Sequence, residues 1–133
     1  MSSTVRKTWL VPALAIAVVL ACSSSTEPGI QPQVNNVTDN FQYQVSNVKN
    51  FTGTKVYTWQ ITGTQASVNQ ATTVTAGAIA LVIKDAADVE VYNQSLAVNG
   101  TLDTAVGTTG AWTIQVQYTN ATGTVNFRVQ KKP

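Results

Sequence analysis

Carboxylates are the main groups of this chain that could do chemistry, because it contains no histidine and a single cysteine. Nucleophilic catalysis of the Ser-His-Asp or Cys-His kind therefore lacks a base, and metal sites built from His or Cys lack ligands. A carboxylate pair for glycoside hydrolysis would have to come from five acids, Asp39, Asp85, Asp88, Glu90 and Asp103.

Two of these acids, Asp85 and Asp88, fall in the stretch Lys84-Asp85-Ala86-Ala87-Asp88, which interrupts an apolar run. Asp favours such bends because its side chain bonds the local backbone, so we interpret both as turn residues. Calcium held by their oxygens is the alternative, but the spacing matches no calcium-loop motif. The sequence thus predicts no catalytic set, no metal site and no cofactor, and the protein is not expected to be an enzyme.

Aromatic side chains could instead form a platform on which sugars stack. Five of them fall in the inward phase of alternating segments and are expected in the core: Tyr43, Tyr57, Trp59, Trp112 and Tyr118. Tyr92 is out of phase with Val89 and Val91, which predicts an exposed ring and makes Tyr92 the candidate ligand contact.

Charge is balanced once the N-terminal segment is set aside. Arg6 and Lys7 precede the apolar run, and the chain from Cys22 onward carries six basic and six acidic residues. Nucleic-acid binding requires a clustered basic face, so nucleic acid is not an expected partner.

The apolar run itself covers thirteen uncharged residues from Trp9 to Ala21. As a helix it would span about 20 Å, short of the ~30 Å hydrocarbon core of a bilayer. Two cations before it and small residues at its end are the layout of a secretion signal, so residues 1–21 are predicted to be a cleaved signal peptide.

The end of this run, Val19-Leu20-Ala21-Cys22, resembles the bacterial lipobox. The resemblance implies cleavage between Ala21 and Cys22, and a Cys22 that carries a diacylglycerol and an N-linked acyl chain such as palmitate. Such chains anchor a protein without a spanning helix. Ser23 is not the Asp that marks inner-membrane retention in this class, which implies the outer membrane. An ordinary secretory signal with an incidental Cys22 is the alternative.

Residues 22–35 are rich in Ser and contain Pro28, Gly29 and Pro32, so we expect a flexible tether there. The folded domain is predicted to span residues 36–131.

Strand-like alternation dominates this domain, and no stretch shows a capped helical period. One-sided strands are expected around Phe41–Val45, Tyr57–Ile61 and Ala111–Tyr118. The stretch from Ala66 to Thr75 indicates an edge or irregular strand. Three further elements are predicted: a hairpin that turns at 84–88, a short strand with Leu102 and Val106, and a C-terminal hairpin that turns at 120–123.

Seven or eight short strands at about ten-residue spacing predict an all-β, antiparallel two-sheet sandwich, with a small closed barrel as the alternative. From Ile79 onward the sequence resembles jelly-roll modules of the pre-peptidase C-terminal and convertase P-domain kind, on the strength of Gly110, Trp112, Gly123 and Phe127. That resemblance implies a non-catalytic accessory sandwich.

The functional expectation is an envelope lipoprotein, held at the membrane by its lipid, whose sandwich is a non-enzymatic structural or interaction module for an envelope protein or glycan. A carbohydrate-binding module at the cell surface is the alternative, because the outward Gln and Thr rows offer many donors and acceptors.

Overall fold

The computed structural model describes residues 30–133, so the predicted signal peptide and the start of the tether lie outside the described residues. The described chain forms seven strands: β1 (Gln33–Val37), β2 (Asn40–Ile61), β3 (Ala66–Gln70), β4 (Thr73–Lys84), β5 (Glu90–Ser95), β6 (Gly100–Asp103) and β7 (Gly110–Lys131). Every pairing is antiparallel. The predicted all-β fold with seven or eight strands is therefore confirmed. Within residues 30–133 no helix is long and apolar enough to cross a membrane.

Two long strands, β2 and β7, organise the domain, and each runs for 22 residues. A straight strand of that length would measure about 70 Å. The two ends of β2 nevertheless meet, because the Thr62 N–H donates to Asp39 Oδ1 over 2.7 Å and the Asp39 N–H donates to the Gln60 carbonyl over 2.9 Å. The paired strands β2 and β7 therefore fold back on themselves.

Folding back divides the sheet into two layers. The first layer has the order β1, first half of β2, second half of β7, β3, β6. The second layer has the order second half of β2, first half of β7, β4, β5. Among the described strands β1, β5 and β6 each pair with one neighbour, so the ladder stays open and the architecture is sandwich-like.

Five residues at the corner between the layers have a backbone with positive φ. Asn47, Asn50 and Asn120 have φ values of 58°, 46° and 45°, and Gly77 and Gly123 have φ values of 71° and 153°. Asn and Gly are the residues that adopt positive φ at least cost. The pairing register shifts at the same place, between Val45 and Gly53 of β2 and between Val74 and Ala78 of β4. These β-bulges turn the strands from one layer into the other.

The core lies between the layers and is rich in aromatic side chains. Its largest fully buried members are Trp59, Trp112, Tyr43, Phe41 and Phe127. Rings from opposite layers touch, since the Tyr43 and Tyr57 centroids lie 5.8 Å apart and the Phe41 and Tyr57 centroids 5.5 Å apart. The inward phase predicted for the five aromatics is confirmed: four are buried, and Tyr57 is half-buried but packs against the same core.

The strand boundaries differ from the predicted ones at the corner. The segments expected as separate strands around Phe41–Val45 and Tyr57–Ile61 are the two halves of β2, and the expected C-terminal hairpin is wrong because β7 continues through residues 120–123. Asn and Gly are typical of turns and of β-bulges alike, so the residue types at 120–123 do not distinguish a hairpin from a continuous, bulged strand. The hairpin that turns at 84–88 is confirmed by the pairing of β4 with β5.

Two other segments also depart from expectation. The stretch from Ala66 to Thr75 contains β3 and the start of β4, and β3 lies between β7 and β6 rather than at an edge. Val106 is 69% exposed in the loop that follows β6, and Val89 is 57% exposed in the turn before β5. Val106 thus lies outside the short strand predicted to contain it with Leu102, and Val89 does not face the core as its phase with Val91 suggested.

The described residues before position 36, the predicted start of the folded domain, already form part of the fold. Ile30 is buried in the core, and β1 starts at Gln33. An isolated Ile and a strand with two valines, Val34 and Val37, carry too weak an apolar pattern to reveal a strand inside a polar, Pro-containing stretch.

Gly77→Ala tests the corner. The new Cβ would lie 2.1 Å from the Asn120 carbonyl oxygen, and a left-handed φ alone costs a non-glycine residue about 1–3 kcal/mol, so we expect a marked fall in the urea midpoint. Gly100→Ala is the control, since φ is 127° there but no atom lies within 4 Å of the added Cβ. Equal midpoints for the two variants would contradict a corner closed by backbone contact.

Candidate functional site

The carboxylate of Asp85 is a structural group inside the β4–β5 turn. Its Oδ1 accepts the N–H groups of Ala87 and Val89, both over 2.9 Å, and its Oδ2 accepts the N–H of Thr108 over 2.8 Å. The N–H groups of Thr108 and Val89 hold the pKa of Asp85 below its usual value. Asp85 therefore joins the turn to the loop before β7, which agrees with its interpretation as a turn residue.

Asp39 and Asp103 are each tied to a neighbouring lysine and a hydroxyl. Asp39 accepts from the Thr62 hydroxyl and lies 3.7 Å from Lys131 Nζ, and the backbone N–H of Thr62 holds the pKa of Asp39 below its usual value. Asp103 accepts from the Ser67 hydroxyl and pairs with Lys132 at 2.5 Å, and Lys132 lowers its pKa. These acids close one end of the domain.

Asp88 and Glu90 occupy the same hairpin as Asp85 but play separate roles. Asp88 adopts a left-handed φ of 64°, and Glu90 lies opposite Lys84 across the ladder. In the part of the chain that the structure describes, no three His, Cys, Asp or Glu residues are grouped as metal ligands. The structure thus does not bring the five candidate acids together.

A buried pair of tyrosine hydroxyls connects the two layers. Tyr43 and Tyr118 place their hydroxyl oxygens 2.6 Å apart inside the core. Burial raises the pKa of Tyr118 to about 12 and raises that of Tyr43 still further. Both phenols stay neutral and act as a hydrogen-bonded pair between the two sheets.

Tyr92 is the one ring for which the predicted exposure is wrong, since it is 6% exposed. A register shift between Ile83 and Lys84 leaves an extra residue in β5, so Val91 and Tyr92 both face the core. The Tyr92 hydroxyl donates to Gln70 Oε1 over 2.6 Å, and burial raises the pKa of Tyr92 to about 12. Its ring is therefore unavailable to the stacked ligand that its candidate role requires.

The predicted lipidation site, Cys22, lies outside the described residues together with Ala21 and the cleavage site between them. The nearest described feature is Ile30, which is buried eight residues further along the chain.

The outer surface of the first layer carries a groove of about 230 Å³ that sequence reasoning did not single out. We call it the amide groove, because six carboxamide side chains line it: Gln33, Asn35, Gln42, Gln44, Asn69 and Asn126. Arg128 adds a charged side chain. Tyr43 and Phe127 also line it, but their side chains are buried on the inner face, so their backbones form its floor.

A second depression of about 380 Å³ lies where the chain ends. Gly63, Thr64, Gln65 and residues 131–133 line it. Its two cations are the lysines already paired with Asp39 and Asp103. Their charges are thus partly neutralised, and the amide groove is the stronger candidate for binding.

Compared with known proteins, the chain matches no family model and no curated protein.

Asp85→Asn tests the turn. In either orientation the amide turns its NH₂ group toward a backbone N–H that the carboxylate accepted, so we expect a lower urea midpoint at pH 7. A carboxyl whose folded pKa is depressed contributes stability above its unfolded pKa, near 3.8, and loses it as the pH falls through the folded pKa. The difference in urea midpoint between the wild type and Asp85→Asn should therefore become smaller below pH 4.

Asp88→Asn is the matched control for that experiment, because Asn tolerates the same left-handed φ and Asp88 is exposed. A pH-independent difference between Asp85→Asn and wild type would contradict the role assigned to the carboxylate.

Tyr92→Phe tests the buried hydroxyl. The change leaves Gln70 Oε1 without its donor in a residue that is 3% exposed, so a loss of about 1–3 kcal/mol in the free energy of unfolding is expected. Ser67→Ala, which removes an exposed hydrogen bond to Asp103, should cost less than about 0.5 kcal/mol. An unchanged midpoint for Tyr92→Phe would show that the hydroxyl does not stabilise the fold.

Proposed function

We propose that this protein is a lipoprotein of the bacterial envelope, anchored through Cys22 and carrying a non-enzymatic sandwich domain that binds a partner near the membrane. The lipobox-like stretch 19–22, preceded by cations and an apolar run, is the observation that carries the proposal. Ser23 favours the outer membrane over the inner one.

The short distance in sequence between Cys22 and the first core residue supports an anchored arrangement. Ile30, which is buried, comes eight residues after Cys22, and a fully extended chain covers about 3.3–3.6 Å per residue. The lipid would thus hold the domain within roughly 30 Å of the membrane surface. An interaction module held at that distance acts on partners in the same membrane or in the layer next to it.

The chemistry of the described residues supports binding rather than catalysis. Asp39, Asp85 and Asp103 are each committed to local hydrogen bonds or ion pairs that stabilise the fold. The amide groove, by contrast, presents hydrogen-bonding groups to solvent.

Cys22→Ala tests the anchor. In a Gram-negative host the wild-type chain should fractionate with membranes, and the variant should appear in the soluble fraction because it has no thiol to acylate. Ser23→Ala is the matched control and should remain with the membranes. Mass spectrometry of the mature N-terminus should give a peptide that begins at an acylated Cys22. Membrane retention of Cys22→Ala, or an unmodified Cys22, would contradict the proposal.

A further inference from the structure

The amide groove is built from strands that are distant in the sequence but adjacent in the sheet. Asn35 pairs with Gln42, Gln42 with Arg128, Arg128 with Asn69, and Asn69 with Thr101. These five residues form one row across five strands, with neighbours about 4.8 Å apart. Gln33, Gln44 and Asn126 form a parallel row beside it. The result is a surface of evenly spaced polar side chains.

Most of these side chains have no hydrogen-bond partner within the described part of the chain. Asn69 Nδ2 donates to Thr101 Oγ1 over 2.8 Å. Within residues 30–133 the carboxamides of Gln33, Gln42 and Gln44 bond to no other residue. A carboxamide offers two donors and an acceptor, so the groove holds an unused supply of both kinds.

The outer face of the second layer is different in character. Val56 and Val82 flank Gln115 in one row, and Ala80 lies beside Gln117 in the next. The two glutamines lie on the same side of β7, and Gln117 Nε2 donates a hydrogen bond of 3.4 Å to Gln115 Oε1. Gln60 and Asn93 are exposed on this layer as well, but each lies beside an apolar residue, whereas the carboxamides of the first layer stand next to one another in two rows.

Arg128 supplies a charge at the middle of the row. The two ion pairs among the described residues join Lys131 to Asp39 and Lys132 to Asp103, and Arg128 takes part in neither. None of the described residues that line the groove is an acid. An arginine guanidinium is a planar fork that binds a carboxylate through two parallel hydrogen bonds. The groove thus combines many neutral hydrogen-bonding groups with one site for an anion.

We infer that the amide groove binds a glycan that carries carboxylate groups, such as an oligosaccharide of uronic acids, with Arg128 on the carboxylate and the carboxamides on the hydroxyls. A sugar chain matches this surface because it presents hydroxyls along its whole length and an acidic group at intervals. Among residues 30–133 the groove exposes no apolar side chain that a peptide could pack against, and one arginine is too little to hold nucleic acid. The inference rests on the proposed function, because it names the partner of the interaction domain.

The size of the groove sets the length of the ligand that it contacts. Its volume of about 230 Å³ is below the roughly 300–1,000 Å³ of pockets that enclose drug-sized molecules. It is open to solvent along the row, so one or two sugar rings would occupy it while the rest of the chain extends past the strand edges. Weak binding per site and repeated contacts along a long polymer are the expected mode.

A glycan array probed with the full chain in detergent micelles tests the inference. Oligosaccharides of uronic acids should be retained, and their neutral counterparts of the same linkage should be retained at least tenfold less. Retention should fall as salt is raised, because the ion pair with Arg128 lies at the surface. Retention of no glycan, or equal retention of acidic and neutral ones, would overturn the proposal.

Titration calorimetry with a uronic-acid trimer then assigns the residues. Arg128→Gln should weaken binding about tenfold or more, since a hydrogen bond to a charged group is worth about 1.5–3 kcal/mol. Gln42→Ala should weaken it less, and Gln115→Ala on the second layer is the control that should bind as wild type does. Urea midpoints for each variant separate lost binding from lost folding. Unchanged affinity in a folded Arg128→Gln would overturn the assignment.

These outcomes are separable from failure of the proposed anchoring. If the chain stays with the membrane through Cys22 but binds no glycan, glycan binding by the amide groove is rejected and the anchoring is supported. If the chain binds the trimer but is soluble with Cys22 intact, the anchoring is rejected and glycan binding is supported.

Discussion

The corner between the layers is the constraint on which the rest of this structure depends. Two 22-residue strands can enclose a core only if both turn back at the same place, and the turn requires left-handed backbone at Asn47, Asn50 and Asn120. Gly77 and Gly123 let β4 pass β7 there, where a side chain would meet a carbonyl within 2.1 Å. Because the corner aligns the layers, Tyr43 reaches Tyr118 and the ends of β2 meet at Asp39.

Much of the fold could be predicted from alternation, because inward and outward positions repeat every two residues in a strand. That pattern placed Trp59, Trp112 and Tyr43 in the core. It failed where a bulge changes the phase, as at Tyr92, since an inserted residue follows from pairing with β4 and leaves no mark in the composition. It failed again at residues 120–123, where the same residue types serve a turn or a bulge.

The candidate site was harder to predict for a related reason. Each of Gln42, Asn69 and Arg128 is, taken alone, an ordinary solvent-facing residue of a strand. They form a candidate site only through the pairing register, which places residues from five strands in one row. Without strand order, the Gln and Thr rows could be described only as a general supply of donors and acceptors. The role of Asp85 was easier to predict, because its carboxylate accepts hydrogen bonds mainly from backbone N–H groups within its own turn.

The way β1 is fastened has a mechanical consequence. Asn36 Nδ2 donates to the Thr58 carbonyl and Trp59 Nε1 donates to the Val37 carbonyl, both over 2.9 Å, so the far end of β1 is tied to the second layer. In the proposed anchored protein, tension on the tether reaches Ile30 and Gln33 first and would peel β1 from β2 one pair at a time. The hydrogen bonds at Asn36 and Val37 resist that peeling where the chain passes from β1 to β2, so β1 would open before the strands that enclose the core.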